Sequence, residues 1–463
     1  MPVKRVQKTP MPERDAEMRS HDFGEVNEGY GIAHAQFEAE RCLRCQDPIC
    51  IDGCPVRVPI PEFVHQVAKG DMRAAATILR ESNPLPAVCG RVCPQEVQCE
   101  QQCSVGIRFK PVAIGFLERF VADWEMQQPA VEIAAQLSRD EKIAIIGSGP
   151  AGLVCAGELA RLGYPVKIFE ALHAPGGVLR YGIPEFRLPK DVLDWEIEQL
   201  RKLGVEIQCN VIIGKTITMD ELMGEMGFSA VFIGTGAGLP SFMGIPGENL
   251  NGVFSANEFL TRVNLMHAND FPNADTPVMV GKRIAVIGAG NTAMDTVRTA
   301  LRVGAEQGMI VYRRSDQEMT ARVEEHQHAI EEGVEFHWLT NPVEVLGDED
   351  GWVTGLKCVR MELGEPDASG RARPIPIAGS EFVMPVDNVV LSIGNKPNPL
   401  LLQTTKGLES NKWGCLVVHD GTSETSREHV FAGGDAVTGA ATVILAAGAG
   451  KSAASEIHAD LRA

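Results

Sequence analysis

The sequence lacks the marks of membrane-spanning, secreted and nucleic-acid-binding proteins. No stretch reaches the roughly 18 consecutive apolar residues that a membrane-spanning helix needs. The opening residues, MPVKRVQKTPMPERD, contain no apolar signal-peptide core, so we expect a cytoplasmic protein. Basic residues are in deficit, with 43 Lys and Arg against 61 Asp and Glu and a formal net charge of −18. A chain this acidic would repel phosphates, which argues against nucleic acid as a partner.

The composition is otherwise that of an ordinary globular protein. Hydrophobic residues make up 44% and charged residues 22% of the 463 residues, a length that allows about two to four domains. Glycine is abundant, with 47 residues, and many of them follow apolar runs. This pattern indicates tight turns between strands and helices rather than disorder.

Cysteine is sparse over most of the chain and concentrated near its start. Four of the twelve cysteines are isolated and form no closely spaced redox pair, which argues against a disulfide reductase: Cys155, Cys209, Cys358 and Cys415. The other eight lie in one region of about 60 residues: Cys42, Cys45, Cys50, Cys54, Cys89, Cys93, Cys99 and Cys103. In a reducing compartment such clustering favours metal ligation over disulfides.

The first cysteine group suggests which metal. Its sequence, CLRCQDPICIDGCP, is close to the bacterial ferredoxin pattern C-x2-C-x2-C-x3-C-P, with a middle gap of four residues instead of two. We favour the interpretation that the eight cysteines bind two iron–sulfur clusters. The alternative is two structural zinc sites of four cysteines each. Between the cysteine groups, apolar residues recur at helical spacing on both sides of Gly70-Asp71, which predicts a helical hairpin ended by Pro84 and Pro86.

The first glycine motif follows a predicted strand, KIAII, and opens a predicted helix. Gly147, Gly149 and Gly152 form the pattern G-x-G-x-x-G, and Glu170 ends the next strand. Such glycines allow a tight turn, a close approach of the backbone to a pyrophosphate, and close helix–strand packing. An acid at the position of Glu170 can accept hydrogen bonds from a ribose. This combination predicts a dinucleotide site.

The second glycine motif has the same context but a different strand end. Gly288, Gly290 and Ala293 form G-x-G-x-x-A, and the following strand ends in Arg313 and Arg314 instead of an acid. Guanidinium groups suit the 2′-phosphate of NADP(H). The alternative is that these arginines pair with the nearby acids of DQEMTARVEE on a solvated surface.

A third glycine segment, EHVFAGGDA, places Gly434 and Asp435 at a strand end before a helix. The aspartate could bind a flavin hydroxyl, or it could simply cap the helix. The order of the three segments resembles that of flavoproteins with two dinucleotide-binding domains. In them FAD uses the first and last segments and NADPH the middle one. Residues 234–236 and 393–394 resemble the crossovers between their domains.

A resemblance to one family covers nearly the whole chain. The stretches CLRCQDPICIDGCP, NPLPAVCGRVCPQEVQCEQQC, GFLERF, YGIPEFRLPK and GENLNGVFSANEFL resemble the glutamate synthase small (β) subunit. Dihydropyrimidine dehydrogenase and the large subunit of NADH-dependent ferredoxin:NADP oxidoreductase share the cysteine-rich part. The resemblance implies two [4Fe-4S] clusters, one bound by Cys42, Cys45, Cys50 and Cys103 and the other by Cys54, Cys93, Cys99 and Glu118. Counting thiols alone favours Cys89 as the eighth ligand, and that choice stays open.

The resemblance also implies the domain order and the residues around the flavin. We expect an α/β protein with a helical two-cluster domain at 1–139. An FAD domain would follow at 140–240 and 385–463, with an NADP(H) domain at 241–384 between its halves, both Rossmann-like. Gly177 and Arg187 are expected to bound the segment that lines the flavin.

The expected function is electron transfer from NADPH to a partner. Hydride passes to FAD, and single electrons then leave through the clusters, so no side chain is assigned as a general acid or base. The length has no room for a glutaminase or a synthase barrel, so a glutamate synthase large subunit would be the acceptor. One alternative is the large subunit of a ferredoxin:NADP oxidoreductase or sulfide dehydrogenase, with a small flavin and [2Fe-2S] partner. The other is a zinc-stapled NADP-binding scaffold without activity.

Overall fold

A computed structural model describes residues 7–129, 137–367 and 370–462. Helices dominate the part that carries the clustered cysteines: α1 (Ala16–Arg19), α2 (Ile32–Ala39), α3 (Ile49–Asp52), α4 (Ile60–Lys69), α5 (Met72–Ser82), α6 (Pro86–Val92) and α7 (Ile114–Met126). Helices α4 and α5 form the predicted hairpin. Gly70 ends α4 with φ of 84°, a conformation that favours glycine, and the Asp71 side chain caps α5 by accepting from the Ala74 N–H at 3.0 Å.

The first sheet is parallel and has the order β16-β4-β1-β2-β3. Its strands are β1 (Lys142–Ile146), β2 (Val166–Phe169), β3 (Glu206–Gln208), β4 (Phe228–Ile233) and β16 (Val430–Ala432). Its helices are α8 (Pro150–Arg161), α9 (Val178–Tyr181), α10 (Lys190–Lys202), α11 (Met219–Met223), α15 (Leu400–Thr404), α16 (Asp435–Thr438) and α17 (Val443–Asp460). A strand from late in the chain thus completes a sheet that begins at residue 142.

The second sheet is also parallel, with the order β6-β14-β7-β8-β9. Its strands are β6 (Val253–Ser255), β7 (Arg283–Ile287), β8 (Gln307–Val311), β9 (Glu335–His337) and β14 (Asn388–Leu391), and its helices are α12 (Ala256–Asn264), α13 (Asn291–Arg302) and α14 (Val323–Glu331). An antiparallel extension contains β10 (Thr340–Gly347), β11 (Val353–Pro366), β12 (Ala372–Pro376) and β13 (Phe382–Met384). Strand β7, helix α13 and strand β8 form the second βαβ unit that the sequence predicts.

The chain passes twice between the two sheets, and the second crossing lies near residues 393–394, which resemble a crossover, and later than the expected domain bound at 385. Strand β14 belongs to the second sheet, where it pairs with β6 and β7, so the crossing at residue 385 is corrected to the residues after Leu391. The sequence VVLSIG misled because a buried apolar strand ending in glycine fits either sheet. The two crossing segments form short strands, β5 (Leu239–Pro240) and β15 (Asn395–Lys396), which pair antiparallel with each other.

The cysteine-bearing helices share one apolar core with the first sheet. Leu79 of α5 and Leu117 of α7 lie in the same buried cluster as Leu159 of α8 and Ile457 of α17. A continuous core of this kind holds the two parts in a fixed relation, since separating them would expose apolar surface. Within the described residues, no helix is long and apolar enough to cross a membrane.

A buried ion network joins the N-terminal segment to the second sheet. Arg298 and Arg302 of α13, both with no exposed side-chain surface, pair with Glu332 at 2.8 and 2.7 Å. Arg19 of α1 reaches the same carboxylate at 3.2 Å and also pairs with Glu331 at 2.6 Å. Buried charges must be paired to be tolerated, so this network fixes how α1 sits against α13 and α14.

Candidate redox site

The first cysteine site comprises Cys42, Cys45, Cys50 and Cys103. Their side chains line one cavity of about 400 Å³, part of which opens to solvent. Apolar residues such as Ile60 form most of its remaining wall. The structure therefore brings together, from two separate parts of the chain, the four cysteines that the resemblance assigns to one cluster. Four converging thiols are the donor set of a [4Fe-4S] cluster.

The second cysteine site comprises Cys54, Cys89, Cys93, Cys99 and Glu118. All but Cys54 are buried, and Cys54 is partly buried. Burial, followed by the effects of Glu118 and Cys89, raises the pKa of Cys54 to about 11. Burial together with Cys54 and Glu118 also raises that of Cys99. Five candidate ligands for a four-ligand site therefore lie within electrostatic range of one another.

Close packing of α6 on α7 brings Glu118 to this site. A Cβ added at Gly90 of α6 would lie 2.5 Å from the backbone nitrogen of Arg119 on α7, so only glycine allows the helices to approach this closely. Glu118 is then within electrostatic range of Cys93, and its Oε1 accepts a hydrogen bond from Asn83 Nδ2 at 3.0 Å. Burial raises the pKa of Glu118 to about 8. Cys89 forms a hydrogen bond with Cys93 that, ahead of burial, raises the pKa of Cys93.

Burial favours the protonated form of several of these thiols, including Cys42 and Cys50 of the first site, by raising their pKa. Burial raises the pKa of Cys50 to about 12, with further contributions from Cys103, Cys42 and Cys45. A positive metal centre reverses this preference, because thiolates are its ligands and their protons are released on binding. Both sites thus have the residue types and the convergence that a [4Fe-4S] cluster requires.

The first glycine motif forms a cradle at the start of α8. A Cβ added at Gly152 would lie 2.0 Å from the Gly147 carbonyl oxygen, and one added at Gly147 would lie 2.6 Å from the Gly234 carbonyl oxygen. At Gly149, by contrast, nothing lies within 4 Å of an added Cβ. The outer glycines are therefore needed for packing, whereas the middle one borders open space at a helix N-terminus, where a pyrophosphate fits.

Glu170 lies at the predicted strand end and braces this turn. Its Oε2 accepts hydrogen bonds from the Ser148 N–H at 2.9 Å and the Ser148 hydroxyl at 2.5 Å, and its Oε1 accepts from the Leu172 N–H at 2.8 Å. Ser148 was not predicted, because one serine within a glycine pattern carries no distinct sequence signal. The carboxylate is thus fixed in orientation beside the cradle.

Asp435 has a buried carboxylate oxygen that suits a hydrogen-bond donor of a ligand. Its Oδ1 is buried and has no hydrogen-bond partner among the described residues. Burial raises its pKa to about 6. Since a buried polar oxygen is costly when it is unpaired, a flavin hydroxyl that donates to it would satisfy the site. Burial raises the pKa of Tyr181 to about 12, and Glu170 and Asp435 add to the effect, so this residue of the segment predicted to line the flavin lies near both ends of the cradle.

Gly177 and Arg187 bound the segment predicted to line the flavin, and the structure places them differently. A Cβ added at Gly177 would lie 2.8 Å from the Gly149 Cα, so this residue borders the cradle. The buried Arg187 guanidinium instead pairs with Asp295 of α13 at 2.8 Å and Glu325 of α14 at 2.9 Å. Its side chain is therefore committed to the nucleotide domain rather than turned to the cradle. These partners could not be predicted from the sequence because they lie more than 100 residues away.

The second glycine motif repeats the cradle at the start of α13. A Cβ added at Gly288 would lie 2.2 Å from the Ser392 carbonyl oxygen, whereas one added at Gly290 would meet only the Thr320 hydroxyl, at 3.4 Å. Ala293 is fully buried against the strand. The pattern of one crowded and one open position matches that of the first motif and fits a second dinucleotide.

The two predicted phosphate-binding arginines have different settings. Arg313 is exposed at the end of β8. Arg314 is 4% exposed, and its Nη2 lies 2.6 Å from Asp367 Oδ2 while its Nε donates to the Ala372 carbonyl at 2.8 Å. Arg314 is thus paired with an acid, as in the alternative interpretation, although that acid lies in the antiparallel extension and not in DQEMTARVEE.

Comparison with known proteins supports both the cluster-binding part and the dinucleotide-binding part of the chain. A family model described as dihydropyrimidine dehydrogenase domain II, 4Fe-4S cluster, matches residues 19–130. A second, described as pyridine nucleotide-disulphide oxidoreductase, matches residues 141–450. The glutamate synthase [NADPH] small chain of Escherichia coli (strain K12) is 35% identical over 458 residues, which are 98% of this chain and 97% of that one.

The chain belongs to the glutamate synthase small-chain family. As a member of this family it is an NADPH-dependent, electron-transferring flavoprotein subunit with FAD, NADP(H) and [4Fe-4S] clusters as cofactors. The family predicted from the sequence is therefore confirmed, as are the fold class, the enzyme class and the cofactors.

Two further proteins show the range of related chains. The NADP(+)-dependent formate dehydrogenase subunit beta of Moorella thermoacetica is 40% identical over 437 residues, 89% of this chain and 60% of that one. The structure of Mycobacterium tuberculosis FprA in complex with NADPH aligns with a TM-score of 0.57 at 21% identity, over 70% of this chain and 85% of that one, and it supports the fold alone. The names "small chain" and "subunit beta" indicate that this family works with partner subunits.

Proposed function

We propose that the chain carries electrons from NADPH through FAD to the second cysteine site, then to the first cysteine site and out to a partner subunit. The positions of the two cysteine sites relative to the flavin cradle support this order. A Cβ added at Gly448 of α17 would lie 3.0 Å from the Pro55 carbonyl oxygen, directly after Cys54. Helix α17 also follows the segment that carries Asp435. The second site thus adjoins the flavin cradle.

The first cysteine site is suited to the exit. Its cavity opens to solvent, and Leu43 and Ile49, which line it, are 54% and 41% exposed. Ile107, a few residues after Cys103, is 81% exposed. Exposed apolar side chains around a redox centre are characteristic of a surface that a partner covers.

The ligand sets follow the resemblance. Cys42, Cys45, Cys50 and Cys103 hold the outer cluster, and Cys54, Cys93, Cys99 and Glu118 hold the inner one. Asn83 orients the Glu118 carboxylate, which is the role of an outer-shell partner of a metal ligand. Cys89 then acts as a hydrogen-bonding neighbour of Cys93 instead of a ligand.

The remaining residues hold and orient the two dinucleotides. The open faces at Gly149 and Gly290 admit the pyrophosphates, Asp435 accepts from the flavin, and Arg313 binds the 2′-phosphate. Bound FAD supplies the conversion of a hydride into single electrons. The protein contributes geometry, a dry site and local charge, and no side chain needs to exchange a proton in the hydride step.

Two partners are compatible with this arrangement, and the family favours a glutamate synthase large subunit in the cytoplasm. The alternative is a small flavin and [2Fe-2S] subunit, as in a ferredoxin:NADP oxidoreductase. Mixing the purified chain with each candidate and NADPH under anaerobic conditions separates them. Glutamate formation from glutamine and 2-oxoglutarate supports the first partner, and ferredoxin reduction supports the second.

The internal route is tested with Cys45→Ala. We expect this variant to bleach its flavin at 450 nm on mixing with NADPH, yet to lose at least 90% of its electron delivery to the partner. Cys358→Ala, which removes a buried thiol of β11 outside both sites, is the matched control and should deliver normally. Normal delivery by Cys45→Ala, or zinc in place of iron in anaerobically purified protein, would contradict the proposal.

A further inference from the structure

Lys451 extends from the flavin domain into the second cysteine site. It lies on α17, and its ammonium donates hydrogen bonds to the Val56 carbonyl at 3.0 Å and the Ser82 carbonyl at 2.6 Å. Val56 follows Cys54 by two residues, and Ser82 directly precedes Asn83, which holds Glu118. One side chain of the flavin domain therefore fixes two chain segments on which ligands of this site depend.

The charge of Lys451 has no paired carboxylate. Among the described residues, no acidic oxygen lies within 4.0 Å of its Nζ, and the acid that most affects it, Glu158, is already paired with Arg161 at 3.1 Å. The other acidic group within electrostatic range is the Cys54 thiol, which becomes negative when it ionises as a metal ligand. A half-buried ammonium without its own counterion beside a ligand thiol is costly unless a negative centre lies there.

We propose that Lys451 is a positioning residue that raises the reduction potential of the cluster in the second cysteine site. This inference depends on the proposed function. Four anionic ligands leave an oxidised [4Fe-4S] cluster negatively charged, and each reduction adds one electron and no proton. A nearby positive charge stabilises the reduced form more than the oxidised form. Lys451 thereby makes the cluster beside the flavin a better acceptor for the single electrons that NADPH supplies through FAD.

Lysine suits this position better than arginine would. Its compact ammonium has three N–H donors and can serve two carbonyls that face it from different segments. The same side chain crosses from α17 to the cysteine region, so it holds the inner cluster at a fixed place relative to the flavin cradle. Electron transfer between the two centres depends on that placement.

The experiment is an anaerobic redox titration followed by electron paramagnetic resonance. Lys451→Gln removes the charge but keeps an N–H donor, Lys451→Met removes both, and Lys451→Arg keeps the charge. We expect Gln and Met to shift one of the two cluster potentials to more negative values, with iron, sulfide and FAD contents unchanged, and Arg to stay close to the unaltered protein. The potential that shifts should be the one retained in a Cys45→Ala background.

Lys282→Met is the matched control, since Lys282 is an exposed lysine paired with Glu306 at 2.8 Å on the second sheet, and it should change neither potential. Unaltered potentials in an iron-replete Lys451→Gln protein would overturn the inference while leaving the proposed function standing. If Lys451→Met loses its inner cluster, the cluster potentials of Lys451→Gln still test the inference. If the unaltered protein holds no iron, the proposed function itself has failed.

Discussion

Arg187 and Asp295 form a buried ion pair, with 2.8 Å between Nη1 and Oδ2, that joins the flavin domain to the helix of the second glycine motif. Each side chain is 5% exposed. The pair therefore spans the boundary between the two dinucleotide domains at a point where water cannot replace a lost partner. Such a contact sets the orientation in which nicotinamide and flavin can meet.

Removal of the Arg187 charge should weaken both stability and hydride transfer. Arg187→Met leaves the Asp295 and Glu325 carboxylates buried without this cation, which costs about 3–5 kcal/mol of unfolding free energy. We expect a lower melting temperature by circular dichroism and a slower flavin reduction by NADPH in stopped-flow absorbance. Arg201→Met removes an exposed arginine that pairs with Glu198 at 3.4 Å and should change neither. Equal melting temperatures for the two variants would show that the buried pair does not hold the domains.

The ion network predicts a specific response to acid. Despite its burial, hydrogen bonds from Arg298 and Arg302 hold the pKa of Glu332 at about 2, below its ordinary 4.5. This depressed pKa stabilises the fold fully above pH 4.5, and the stabilisation is lost as the pH falls from 4.5 towards 2. We expect Glu332→Gln to lower the unfolding free energy by about 3 kcal/mol at pH 7. The difference from the unaltered protein should shrink in melts below pH 4.5, and a constant difference would contradict the assignment.

Coenzyme preference should depend on the exposed arginine at the end of β8. Arg313→Ala removes a charge-assisted contact to the 2′-phosphate worth about 1.5–3 kcal/mol, so the Kd for NADPH should rise roughly 10- to 100-fold. The Kd for NADH should stay unchanged, because NADH lacks that phosphate. Binding is measured by the quenching of protein fluorescence, with Arg262→Ala of α12 as the control. Parallel weakening of both coenzymes would remove Arg313 from the phosphate site.

The flavin cradle should tolerate no side chain at its third glycine. Gly152→Ala would place a Cβ 2.0 Å from the Gly147 carbonyl oxygen, which forces the turn away from α8. We expect the purified protein to lose most of its FAD, as shown by the absorbance ratio at 450 and 280 nm. Gly31→Ala, where no atom lies within 4 Å of the added Cβ, should keep its FAD. Full FAD occupancy in Gly152→Ala would contradict a pyrophosphate site at this turn.

Local sequence patterns were enough to predict the two glycine cradles. The other parts of the site depend on contacts between residues that are far apart in the sequence. Gly147 and Gly288 could be identified because their role follows from the strand and helix on either side of them in sequence. The grouping of Cys103 with Cys42 required a family resemblance, since spacing alone does not show which loops meet. Lys451 could not be identified, because it meets Val56 across 395 residues of sequence.

The antiparallel pair of β5 and β15 places the entrance and the exit of the nucleotide domain side by side. A domain whose two ends emerge at one point can accept an extension such as β10–β13 without a change in the path of the chain on either side of it.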